Sequence, residues 1–177
     1  MKYHWELSTD LSYIDFSLKF YEIGQIKGYF KKFNGKIVTG KDFNDPVINL
    51  QILTGSVSTL NDEWDQALIS PGFLSANEFP FITFTSDRGC HLSVGRIQEL
   101  TGIVQFKGYQ RGLTLLVTSA VFKNNGKKMS AQFSLTTTLS LNEYGFEITG
   151  EIFNKEVRLS MTLVFNMDET AFLTEMS

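Results

Sequence analysis

The 177-residue chain has one cysteine, two histidines, three prolines and two tryptophans. A lone cysteine, Cys90, excludes an intrachain disulfide and a cysteine-held metal cluster. His4 and His91 lie far apart, with no carboxylate spaced to join them, so the pattern of a histidine metal site is missing too. There is no long run of Lys or Arg and the formal net charge is -3, which argues against nucleic acid as a partner. No apolar stretch approaches the roughly 18 residues of a membrane span, so no transmembrane segment is expected. The first six residues hold no apolar leader and run straight into a strand pattern. That predicts a cytoplasmic protein; a periplasmic or extracellular one whose export signal had been removed would read the same. Phosphate-cradling loops are absent, since residues 24–28 and 108–112 match neither a Walker nor a dinucleotide fingerprint.

What is abundant is phenylalanine, with sixteen. Such a surplus suits either a well-filled core or an apolar cavity with large walls. The length is that of one domain, residues 1–177. Apolar residues recur with a period of two along most of it. Between Tyr13 and Phe20, Ile14, Phe16, Leu18 and Phe20 share one face, with Asp15, Ser17 and Lys19 on the other. Ile26, Gly28 and Phe30 resume the alternation. Asn34-Gly35 predicts a hairpin turn, with a short strand at Ile37-Val38 after it. Further strands are expected over 47–53, 81–86, 90–94, 100–106, 113–122, 129–141, 146–150 and 157–165. Ile103 and Val104 are adjacent, so both faces of that strand are expected to be apolar. Residues 108–112, 124–127 and 142–145 read as turns, and 168–177 as a polar tail. About eight strands joined mostly by tight turns predict an all-β, antiparallel, up-and-down barrel.

The period changes only in the stretch from Ser56 to Ser86. Asn61 is a good N-cap, and Asp62 and Glu63 put negative charge where the helix dipole favours it. Trp64, Ala67 and Leu68 then share one face, Pro71-Gly72 stops the helix, and Pro80 resets the chain to extended. A helical insert over residues 60–79 is expected to close one end of the barrel.

No catalytic constellation emerges, and the chain is not read as an enzyme. Cys90 and His91 would point to opposite faces of a strand. Asp62 and Glu63 suit a helix start better than a general acid and base. An eight-stranded barrel can fill its interior or hold one small ligand. By alternation the lumen candidates are Ile14, Phe16, Leu18, Ile52, Phe84, Phe106 and Phe133, with Trp64, Leu68 and Phe73 as the closing wall. A one-residue slip would invert any of these strands. Walls of this kind suit a hydrocarbon, which gains roughly 0.8 kcal/mol per buried methylene.

Several blocks together resemble the YceI-like family. They are Trp5 with residues 12–16, Gly28-Tyr29-Phe30, Ser56-Val57-Ser58-Thr59, Asp65 to Leu68 leading to Phe73, and residues 79–86 around Pro80. Leu100-Thr101-Gly102, Phe106-Lys107-Gly108, and Gly150 with residues 156–159 complete the series. The resemblance implies a lipocalin-like barrel associated with polyisoprenoid and other amphiphile binding. The family's Arg-Asp-x-His-Leu pattern stands here as Trp64-Asp65-Gln66-Ala67-Leu68. The histidines common near the first strand stand as Leu11 and Phe20. Those departures imply a more apolar pocket.

The reading is therefore a protein that binds, carries or sequesters an apolar or amphipathic lipid, an isoprenoid or a fatty chain. It needs no cofactor. One rival is a packed barrel acting as a protein-interaction or stress-response module, with homodimerisation through strand edges. The other is an enzyme working through Asp65 and His91.

Overall fold

The structure, a computed structural model, describes residues 2–20, 24–146 and 153–168. Its strands form one antiparallel sheet that closes on itself. Eight staves make the ring, and the first three are each broken in two. Strands β1 (Tyr3–Leu7) and β2 (Tyr13–Phe20) form the first, β3 (Gly24–Phe30) and β4 (Phe33–Thr39) the second, β5 (Val47–Leu53) and β6 (Val57–Ser58) the third. The remaining five are β7 (Phe81–Ser86), β8 (Gln98–Phe106), β9 (Tyr109–Asn124), β10 (Lys128–Ser140) and β11 (Phe153–Asp168). Strand β11 closes the ring by pairing with β2 over most of its length and with β1 at Phe165 and Asn166. Where β1 gives way to β2, Ser8 N–H donates to the Val164 carbonyl at 2.7 Å and Val164 N–H donates to Ser12 Oγ at 2.9 Å. The interruption therefore leaves no gap in the seam.

Up-and-down order puts alternate connections at opposite ends. One end, the plug end, carries helix α1 (Asp62–Ile69), the β8–β9 turn and the segment after β10. The other carries residues 40–46, residues 87–97 and the β9–β10 turn. Among the described residues no helix is long and apolar enough to cross a membrane.

Alternation sets the inward face of each stave. In β8, Leu100, Gly102, Val104 and Phe106 are buried while the residues between them are exposed. Ile103 faces outward at 42% exposure, so this strand has one apolar interior face rather than two. In β9 the pattern steps at Thr118, because a bulge pairs Ser134 with Ser119 but Leu135 with Val117. Inward positions move from Val117 to Ala120 across it.

Four expectations from sequence are corrected. Asn34-Gly35 is no hairpin turn; it lies inside β4, opposite Gln51 and Leu50. Gly35 is small there because a Cβ would stand 2.7 Å from the Leu50 side chain. Residues 90–94 form a loop, held by Gly89 N–H donating to Asp45 Oδ1 at 2.6 Å and Cys90 Sγ donating to the Pro46 carbonyl at 3.1 Å. The β8–β9 turn is only Lys107-Gly108, both at positive φ (51° and 76°), and residues 109–112 already belong to β9. Phe146 folds into the core instead of starting a strand. The rest of that expected strand, residues 147–150, and the tail after Asp168 lie outside the described residues, as does the side chain of Phe20.

Candidate functional site

The barrel interior is solid at mid-height and hollow towards both ends. At the waist, Ile14, Leu100, Leu115, Val117, Phe133 and Leu163 are each at most 2% exposed, and they line neither hollow.

The chamber beneath α1 has a volume of about 90 Å³ and is walled entirely by hydrophobic and aromatic side chains. Its geometry follows from the insert. Asn61 caps α1 by accepting from Trp64 N–H at 3.1 Å. Asp65 Oδ1 accepts from both the N–H and the hydroxyl of Thr59 at 2.7 Å, strapping the helix to the chain leaving β6. Lys107 spans to the insert, donating to the Phe73 carbonyl at 3.0 Å while its ammonium lies 4.5 Å from the Phe146 ring centre. Phe73 and Phe106 meet Phe146 at centroid distances of 5.1 and 6.0 Å. Across the chamber Phe16 lies over Gly28, its β2–β3 partner, where a Cβ would come within 2.5 Å of the ring. A Cβ would also stand 2.7 Å from the Ser58 carbonyl oxygen, a backbone atom that cannot give way, so the strand needs glycine at this point.

The opposite end opens into a vestibule of about 710 Å³. Trp5 lies in its wall, buried, with Nε1 donating to Thr39 Oγ1 at 3.1 Å. Phe43 reaches in from residues 40–46 and meets Trp5, Phe122 and Phe133 at 5.2, 4.7 and 5.8 Å. Its loop holds Asp42, Phe43 and Asp45 at φ of 56°, 58° and 45°, with Asn44 extended between them, and each left-handed position costs ordinary residues energy. Met129 and Met167 add flexible apolar walls, and Leu92 descends from residues 87–97.

Of the residues expected from sequence, Phe16, Leu18, Leu68, Phe73 and Phe106 line the small chamber together. Ile14 and Phe133 belong to the packed waist, and Ile52 and Phe84 are buried without lining either hollow. Trp64 does not join the closing wall. The helix meets the barrel through its last turn, which buries Leu68 and leaves Trp64, one turn earlier, 40% exposed. Sequence reasoning missed Phe30, Val57 and Tyr144 at the chamber, and Trp5, Phe43 and Met167 at the vestibule. Alternation does signal Phe30 and Met167; nothing signals Phe43, which lies in a polar loop. Asp65 and His91 sit at opposite ends of the barrel, Asp65 on α1 and His91 exposed on the 87–97 loop. No joint chemistry is open to them. Among the described residues no group of three His, Cys, Asp or Glu side chains gathers where a metal could be held.

Comparison with known proteins gives a consistent picture. A family model described as a YceI-like domain matches residues 5–165. Solved structures with the same fold include BcnA from Burkholderia cenocepacia, with 19% identity, covering 89% of this chain and 98% of that one at a TM-score of 0.69. A polyisoprenoid-binding domain from Saccharophagus degradans, implicated in plant cell wall breakdown, has 13% identity, with 92% and 98% covered and a TM-score of 0.69. The Campylobacter jejuni YceI protein has 21% identity, with 85% and 90% covered and a TM-score of 0.70. Curated proteins give no match.

Proposed function

The chain belongs to the YceI-like family, and from that premise we propose that it binds the hydrocarbon chain of an amphipathic lipid, isoprenoid or fatty-acyl, inside the barrel and does no chemistry on it. The observation that carries this reading is the vestibule. Its volume of about 710 Å³ lies in the range of small-molecule sites, roughly 300–1,000 Å³. The chamber beneath α1, at about 90 Å³, is smaller than the roughly 150 Å³ apolar cavity that accepts benzene. The chain's first segment therefore lies in the vestibule, against Trp5, Phe43, Phe122, Met129 and Met167. The candidates Phe16, Leu18, Leu68, Phe73 and Phe106 form a second compartment beyond the waist. It receives the far end of a long chain when the waist side chains part. A fully packed barrel working only through its surface fits less well, because hollows remain at both ends. The polyisoprenoid-binding character of the Saccharophagus degradans domain supports the same ligand class.

The test uses the two tryptophans, which lie at opposite ends. In a Trp64→Phe protein Trp5 is the sole tryptophan, excited selectively beyond the tyrosine band, and a fatty acid brominated along its chain is expected to quench it. Native mass spectrometry of protein purified from its own host should show a co-purifying lipid. Uptake of lipid without quenching of Trp5 would move the ligand to the plug side. No uptake at all would leave a barrel whose work lies on its outside.

A further inference from the structure

The loop that overhangs the vestibule ends in Val94-Gly95-Arg96-Ile97, with Gly95 at φ 74° turning the tip. Val94 is 62% and Ile97 71% exposed, among the most exposed large hydrophobic residues described. The tip is nevertheless built firmly. Asp45 and Pro46 hold its base through Gly89 and Cys90, and Gln98 closes it by accepting from Ser93 N–H and donating to the Ser93 carbonyl at 3.1 and 2.9 Å. Leu92 is buried in the vestibule wall, Val94 borders the mouth, and Val94 and Ile97 present most of their surface to solvent.

Around this tip the rim is basic. Lys41, Arg88, Arg96, Lys123, Lys127 and Lys128 are all exposed on the connections and strand ends here, against Asp42, Asp45, Asp87 and Glu99, of which Asp45 is engaged by Gly89. The plug end is mixed. Asp62, Glu63, Glu78 and Glu143 are exposed on its connections and Lys19, Arg111 and Lys155 on its strand ends, while the ammonium of Lys107 is taken up by Phe73 and Phe146. The basic rim therefore stands out on a chain whose net charge is -3.

We infer that the vestibule rim docks on an anionic lipid surface, with Val94 and Ile97 inserted at the headgroup boundary and the ring of cations against the lipid phosphates. Apolar tips supply insertion and the cations supply attraction, the combination that interfacial binding requires. The cations and the two apolar tips lie together on one rim, which orients the barrel mouth-down. The vestibule then opens directly onto the bilayer, so a chain passes between membrane and barrel without crossing water. Docking is a property of the rim and holds for an empty barrel, so it goes beyond the lipid-binding reading and stands apart from it.

The test is vesicle flotation of lipid-stripped protein. Association is expected with phosphatidylglycerol-containing vesicles in low salt, and none with pure phosphatidylcholine. Lys127→Glu/Lys128→Glu should weaken it by about fivefold per cation lost. Val94→Asp should abolish it, and Leu60→Ser, at the plug end and 84% exposed, should leave it unchanged. All these positions are exposed, and circular dichroism checks that each variant folds. Equal binding to neutral vesicles, indifference to the rim variants, or absence of binding to anionic vesicles would each overturn the inference. So would a concentration-dependent dimer that Val94→Asp dissolves, which would assign the tip to a second copy of the chain.

Discussion

The Tyr144 hydroxyl is buried beside the small chamber with no hydrogen-bond partner among the described residues. Leaving such a group unpaired costs about 1–3 kcal/mol, so Tyr144→Phe is expected to stabilise the protein by about 1 kcal/mol in urea unfolding. Burial raises the phenol's pKa above its ordinary 10.0, Glu143 adds to the rise, and Arg111 opposes it. The native state thus holds this proton longer than the unfolded chain does. Its contribution is intact below the ordinary value and is lost as pH climbs through the native one. The alkaline limb of stability should therefore be shallower in Tyr144→Phe; identical limbs would remove Tyr144 as its source. Cys90 invites a second measurement. Burial pushes its thiol up, a backbone hydrogen bond partly offsets this, and Asp45 and Asp87 add to the rise. Iodoacetamide should modify the native protein far more slowly than the urea-unfolded chain.

At the scale of elements, the strap between Asp65 and Thr59 decides whether α1 stays on the barrel. The helix has only eight residues and buries one of them, Leu68, so it cannot hold itself in place. Asp65→Ala is expected to cost about 1.5–3 kcal/mol, as for hydrogen bonds to a charged group. Hydrogen exchange should rise across residues 59–69 with the strands unaffected; a uniform rise would show that the strap serves the whole barrel. This helix was largely legible in the sequence, because Asn61 and the acidic first turn are local signals. So were β2, β5 and β7, whose alternation is uninterrupted. What misled were local signals overruled by packing. Asn34-Gly35 has the chemistry of a turn, yet its glycine lies in a ladder, where a Cβ would crowd the Leu50 side chain and the Asn49 carbonyl on the neighbouring strand. Phe43 sits among polar residues and reaches the core through three left-handed residues, a conformation composition does not announce. The vestibule was illegible for that reason, whereas half of the residues expected at the site do meet around the plug-side chamber.

At the scale of the whole molecule, the waist divides the interior, and on the proposed function it sets the length of chain the barrel accepts. Leu115 of β9 faces Leu100 of β8 across the ladder, both within the packed layer. Leu115→Ala opens that layer, at a cost of about 2–5 kcal/mol. Native mass spectrometry against a series of fatty acids should then find longer chains taken up than by the unaltered protein. An unchanged length preference would place the limit elsewhere.

The seam carries a consequence of another kind. The hydrogen bond from Val164 to Ser12 joins residues 152 apart in the chain, and the ring cannot close before β11 has formed. Contacts that distant are made late and slowly. During synthesis the free edges of β1, β2 and β10 wait unpaired while the last stave is still being made. The nascent barrel is thus an open sheet with two sticky borders, exposed to pairing with other chains for as long as translation from the end of β10 through β11 takes.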